Sequence, residues 1–163
     1  MNLGSILLWG FLATLVLTGN MAASQGLGLS RMSIPFMLGT VVVPDRSRAM
    51  VLGFAMHFVN GWIFALVYAL VFQSLCIATW WLGAVGGLVH GLFVLLVLLP
   101  LLPEIHPRMA TERHGPTPTR MLQPPGFLAL HYGRRTPLAT LVAHVAYGII
   151  LGAFYQLSSC TVH

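Results

Sequence analysis

Ionised side chains are scarce in this 163-residue chain, at 7%, and lysine is missing altogether, so all eight basic residues are arginine. The carboxylates are Asp45, Glu104 and Glu112 alone. Each falls in a connecting segment, so no apolar stretch carries the acid pair that proton-coupled transport or acid–base catalysis within a membrane would use. A Gly-x-Ser-x-Gly elbow, a phosphate-binding loop and a Cys-x-x-Cys motif are also missing, which argues against an enzyme. The arginines are not interleaved with aromatics in a basic patch, so the net charge of +5 does not point to nucleic acid.

What the chain has in excess is apolar surface. It is 57% hydrophobic with a mean hydropathy of +0.85. A soluble fold of this length could not hide so much of it, whereas a bilayer is the solvent that accommodates it. Four apolar stretches, 3–24, 49–72, 80–102 and 138–157, each reach the ~20 residues that carry a helix across ~30 Å of hydrocarbon. The expectation is an all-α, polytopic membrane protein forming one domain over residues 1–163. The first stretch has no Lys or Arg ahead of Leu7 and is long for the apolar core of a signal peptide, so it is read as a span, with cleavage near Ala22 or Ala23 as the alternative.

The arginines set the orientation. Arg31, Arg46 and Arg48 lie in loop 25–48, and Arg108, Arg113, Arg120, Arg134 and Arg135 in loop 103–137, while the turn 73–79 and the tail 158–163 carry no charge. Positive residues collect on the cytoplasmic side, so both loops are expected there and both termini outside, in a bacterial inner membrane. Trp80, Trp81 and Tyr155 then fall near the outer interface, which suits amphipathic rings. Cys76 and Cys160 fall on that same oxidising side, and two readings stand: a disulfide joining the second and fourth spans, or two separate thiols.

Within the first loop, Ser33, Pro35 and Gly39 bracket an apolar run as a helix cap, an early proline and a terminator would, predicting a short cytoplasmic interfacial helix. The second loop holds Pro103, Pro107, Pro116, Pro118, Pro124, Pro125 and Pro137 and cannot be one helix. Its apolar patch 127–132 is expected to return to the membrane surface.

Small residues recur every four positions. The second span has Ala49, Gly53, His57, Gly61, Ala65 and Ala69; the third has Gly83, Gly87 and Gly91 beside His90; the fourth has Thr140, His144, Gly148 and Gly152; the first has Gly10, Thr14, Thr18 and Ala22. Such ridges let membrane helices approach closely. His57, His90 and His144 ride on them and are expected to face the interior, because an imidazole turned to lipid leaves its nitrogens without partners. Counting ~1.5 Å per residue from the cytoplasmic ends puts His57 at ~12 Å, His144 at ~9 Å and His90 deeper at ~18 Å. The second and fourth spans also align over twelve residues, His57 with His144, Gly61 with Gly148 and Tyr68 with Tyr155. That match predicts two helical hairpins as parallel repeats.

The ordered set of Ile34-Pro35-Phe36-Met37-Leu38-Gly39-Thr40, His57-Phe58-Val59-Asn60-Gly61, Leu88-Val89-His90, Pro124-Pro125-Gly126-Phe127 and His144-Val145-Ala146-Tyr147-Gly148 resembles a family of uncharacterised bacterial inner-membrane proteins classed as domains of unknown function. The resemblance covers nearly the whole chain and implies the four-helix architecture. It implies no catalytic residue.

Three chemical readings follow. Interior histidines could bind a haem or a transition metal, with His57 and His144 as ligands and His90 as a third. Against this, they serve equally as hydrogen-bonding glue with Thr14, Thr18, Asn20, Asn60 or Tyr147 as partners. The stretch Glu104 to Met109, with Glu112 and His114, is either a divalent-cation site or a solvated loop, and the methionines show no copper-binding spacing. The leading expectation is an accessory or scaffold subunit that forms a homo-oligomer or joins a larger membrane complex through its ridges. A haem- or metal-binding protein and a small dimeric transporter are the alternatives.

Overall fold

The computed structural model describes residues 1–111 and 113–158; it is 73% helical, and no strand forms among the described residues. In chain order it contains α1 (Leu3–Gly26), α2 (Ile34–Val42), α3 (Arg46–Leu75), α4 (Trp80–Phe93), a π-helical segment Val94–Leu98, α5 (Leu99–Ile105) and α6 (Thr136–Phe154). Four helices are long and apolar enough to cross a membrane: α1, α3, the continuous run Trp80–Ile105, and α6.

Local chemistry explains the ends. Ser33 caps α2 by accepting the Phe36 N–H at 3.4 Å, with Pro35 in the first turn. Gly39 does not terminate α2, contrary to expectation: the helix runs on to Val42 and stops where Pro44 forces Val43 into an extended conformation. Asp45 accepts the Arg48 N–H at 2.9 Å and so starts α3 three residues ahead of the apolar run. Both α1 and α3 finish in the same closed turn, in which the Leu29 and Ile77 N–H groups reach back to Ser24 and Phe72. The left-handed residue of that turn is Gly28 in one case and Cys76, at φ +54°, in the other.

The third span changes pitch before its prolines. Pro100 has no N–H, and its ring would press on the carbonyl four residues back. Just ahead of it the helix widens over Val94–Leu98, with the Leu99 N–H bonded to Val94.

Two compact units are formed, each taking a portion of all four long helices. The first comprises Met1–Asn20, Phe58–Gly91 and the described part of Leu141–His163. In it α1 meets α3 at Gly10, where a Cβ would lie 2.9 Å from Ala65 and from the Trp62 ring, and at Gly61, where a Cβ would overlap the Thr14 side chain. The Trp62 indole donates to the Leu7 carbonyl at 3.0 Å. α4 and α6 touch backbone to backbone, because a Cβ on Gly83, Gly87, Gly148 or Gly152 would overlap a carbonyl of the facing segment. Trp9 stacks on Phe154 at 4.5 Å, and the Gln156 N–H reaches Ser5 at 3.0 Å, closing α1 against the end of α6.

The second unit comprises Met21–His57 and Leu92–Thr140. Here α2 lies against the start of α3, since a Cβ on Gly39 would overlap the Ala49 carbonyl and one on Gly53 the Pro35 carbonyl. The segment after α5 is fastened to the end of α2. His106, 2% exposed, donates from Nε2 to the Met37 carbonyl at 2.9 Å and accepts the Arg108 N–H on Nδ1 at 3.1 Å. Arg108 donates to the Thr40 and Val41 carbonyls at 2.6 and 3.1 Å, supplying the cation that helix C-termini favour. Ahead of α6, residues 127–132 form a tight turn with Leu128 and Ala129 in left-handed conformations.

Candidate functional site

Three helices of the first unit converge on an aromatic and imidazole cluster in which Tyr68, His144 and Tyr147 are buried and Phe64 and His90 half-buried. α3 supplies Phe64 and Tyr68, four residues apart and so on one face; α4 supplies His90; α6 supplies His144 and Tyr147. The glycines of α4 decide the spacing. Because Gly87 and Gly91 have no side chain, α6 settles between them with His144 against both positions, and a Cβ on Gly91 would come within 3.2 Å of the His144 Cβ.

The rings then meet in a connected set. His90 and His144 lie edge to face with centroids 4.7 Å apart and planes at 81°. Phe64 stacks on His90 at 3.8 Å, and Tyr147 approaches it at 5.8 Å. Tyr68 and Tyr147 form a second edge-to-face pair at 5.7 Å. Tyr147 donates its hydroxyl to the Gly61 carbonyl at 2.6 Å, a bond between α6 and α3. The Tyr68 hydroxyl is buried and has no hydrogen-bond partner among the described residues.

Chemically, the cluster offers imidazole nitrogens and a phenol, and the ionised residues of its helices, Arg46 and Arg48, are at the far end of α3 in sequence, in the first turn of that helix. Leaving a hydroxyl such as that of Tyr68 without a partner costs roughly 1–3 kcal/mol, which the surrounding ring contacts must offset. A haem cannot enter between α4 and α6, whose backbones are already in contact at Gly83, Gly87, Gly148 and Gly152. No group of three or more His, Cys, Asp or Glu able to hold a metal ion occurs among the described residues.

No family model, curated protein or solved structure matches the chain.

The structure sorts the sequence candidates as follows. His90 and His144 are brought together although residue counting separates them in depth. Counting assumes that the helix ends lie level, and the ring contact does not follow that assumption. His57 is half-buried in α3, at the end of a segment assigned to the other unit. All three histidines are engaged by neighbours. Thr14, Thr18 and Asn20 send their side-chain donors to the carbonyls of Gly10, Thr14 and Val16 on their own helix, and Tyr147 sends its to Gly61. Cys76 is half-buried beside the Gln73 carbonyl, and Cys160 and Glu112 lie outside the described residues.

Sequence reading missed His106. In place of a cation site or a solvated loop, its ring is buried and fastens α2. The available signal was Arg108, a cation two residues on that could cap a helix C-terminus, but nothing in the spacing tied it to Thr40 and Val41.

Proposed function

We propose that the protein is an integral protein of a bacterial inner membrane that acts as a non-catalytic accessory or scaffold subunit. The single observation that carries this reading is how the polar groups of the long helices are used. In the long helices ionised side chains occur only at the ends, at Arg46, Arg48 and Glu104, and polar groups between them bond to the backbone of their own or a neighbouring helix, as in Thr14 to Gly10 and Tyr147 to Gly61, with the buried Tyr68 hydroxyl the exception. Interiors of this kind hold a structure together and leave little for turnover.

The proposal includes membership in the family the sequence resembles, two parallel-repeat hairpins, arginine-rich loops in the cytoplasm, both termini outside, and α2 at the cytoplasmic interface. Supporting the last are the exposed Val42 and the Arg46 guanidinium, 5.9 Å from the Phe36 ring.

The ridges first expected to bind partners are largely consumed within the chain. What is left open is a stripe on α1, Gly19, Ala22, Ala23 and Gly26, all exposed, with nothing within 4 Å of a Cβ placed on Gly19 or Gly26. A second copy of the chain is the occupant this stripe suits, because small residues spaced by four can cross their own two-fold mate, and the exposed Asn20 amide beside them can bond across. The mass of the protein in mild detergent tests this. A Gly19→Leu, Ala23→Leu variant is expected to lose the dimer, and a strictly monomeric wild type without a co-purifying partner would refute the reading.

A metal-handling protein is the second reading, favoured by the contact of His90 with His144 and by the Tyr68 ring 6.1 Å from that of His90. Elemental analysis of the wild type against a His90→Ala, His144→Ala variant tests it, and stoichiometric metal lost in the variant would support it.

A further inference from the structure

In the second unit a cavity of about 410 Å³ opens between the last turns of the third span and the loop that precedes α6. This is within the size range of small-ligand sites. Four of its lining residues are Pro100, Pro103, Pro124 and Pro125, so the walls are stiff and little conformational entropy is lost when something binds.

The charges around it are unusual. Glu104 from α5 and Arg113 from the following loop both line the cavity, and among the described residues neither is in an ion pair or a side-chain hydrogen bond. Opposite charges that share a cavity without joining each other leave an acceptor and a donor set apart. The third polar group is His131. Its Nδ1 donates to the Pro124 carbonyl at 3.0 Å, and its ring lies over Gly126, where a Cβ would sit 2.8 Å away. The ring is thereby fixed, and in an uncharged imidazole Nε2 is left as an acceptor.

We propose that this cavity binds a phosphoethanolamine group, with the ammonium held by Glu104 and the phosphate by Arg113. His131 Nε2 adds a second acceptor for an ammonium N–H. The site lies at the end of a helix long and apolar enough to span a membrane, the level at which phospholipid headgroups occur. The same chemistry is offered by a phospholipid headgroup and by the free ester. A choline headgroup has no N–H to give to Glu104 or His131 and is discriminated against. The inference stands apart from the scaffold reading, since a monomer could bind the group equally well.

The test uses the full-length protein purified in a maltoside detergent and titrated with free phosphoethanolamine, phosphatidylethanolamine, and their choline counterparts. Thermal shift and native mass spectrometry are the readouts. Glu104→Gln and Arg113→Gln serve as variants, because neither side chain bonds to another among the described residues, and an unchanged melting temperature without ligand is the control for the fold. Each variant, and each choline counterpart, is expected to bind about tenfold more weakly than the wild type with the ethanolamine probe. Binding of the lipid alone makes the source a headgroup, and binding of the free ester with equal strength makes it a soluble metabolite. No binding by the wild type, equal binding of choline and ethanolamine probes, or unchanged affinity in both variants would overturn the proposal.

Discussion

The His90 ring meets the His144 ring edge to face, 4.7 Å between centroids, at the point where Gly87 and Gly91 allow α6 to sit directly on α4. The contact exists because glycine is at these positions. The two imidazoles are brought together by backbone proximity, and Phe64 stacks on His90 at 3.8 Å. Packing and polar chemistry therefore share one set of residues in the first unit.

Substitution of the glycines should separate tight positions from loose ones. Gly83→Ala pushes a methyl into the Gly148 carbonyl and is expected to destabilise by about 1–3 kcal/mol or more, as overpacked interiors do. Gly4→Ala meets only an ordinary contact at 3.6 Å and should change stability by less than about 0.5 kcal/mol. Thermal unfolding of both variants in one detergent makes the comparison, and similar effects would mean that α4 and α6 are not in backbone contact.

The two tyrosines of the cluster should respond in opposite senses to loss of the hydroxyl. Tyr147→Phe removes the bond to Gly61 and is expected to cost about 1 kcal/mol. Tyr68→Phe removes a buried hydroxyl that has no partner among the described residues, and should be neutral or stabilising. A loss for Tyr68→Phe larger than that for Tyr147→Phe would show that the Tyr68 hydroxyl holds a ligand, in favour of the metal-handling reading.

Much of this architecture was legible in the sequence, and the reasons differ by element. The four long helices follow from uninterrupted apolar runs, which only a helix can carry through lipid. Their ends were less clear because single caps decide them: Asp45 adds three residues to the start of α3, and α6 stops at Phe154, before Tyr155, whose hydroxyl accepts the Asn2 N–H at 3.5 Å. The small-residue spacing identified positions of close approach, but spacing cannot say which ridge meets which. Gly83 pairs with Gly148 through tertiary structure alone. The same limit hid the meeting of His90 with His144 and the tie from His106 to Met37, which spans 69 residues.

Outside the long helices, Tyr132 supplies a pH-dependent contribution. Burial pushes its phenol up from 10.0 to about 12, with the Arg31 guanidinium pulling modestly the other way. The folded protein therefore holds this proton more tightly than the unfolded chain does. The associated stability is intact below about pH 10 and is lost as pH rises from there through about 12. Unfolding midpoints measured from pH 9 upward should show the advantage of the wild type over Tyr132→Phe shrinking across that window, and a constant difference would mean that the phenol titrates alike in both states.

The most direct test of the scaffold account is the mass of the detergent-solubilised protein by light scattering with the detergent contribution subtracted, for the wild type and for Gly19→Leu, Ala23→Leu. The account predicts a dimer for the wild type and a folded monomer for the variant. A wild type that is monomeric at all concentrations, with no protein partner accompanying it from the membrane, would contradict it.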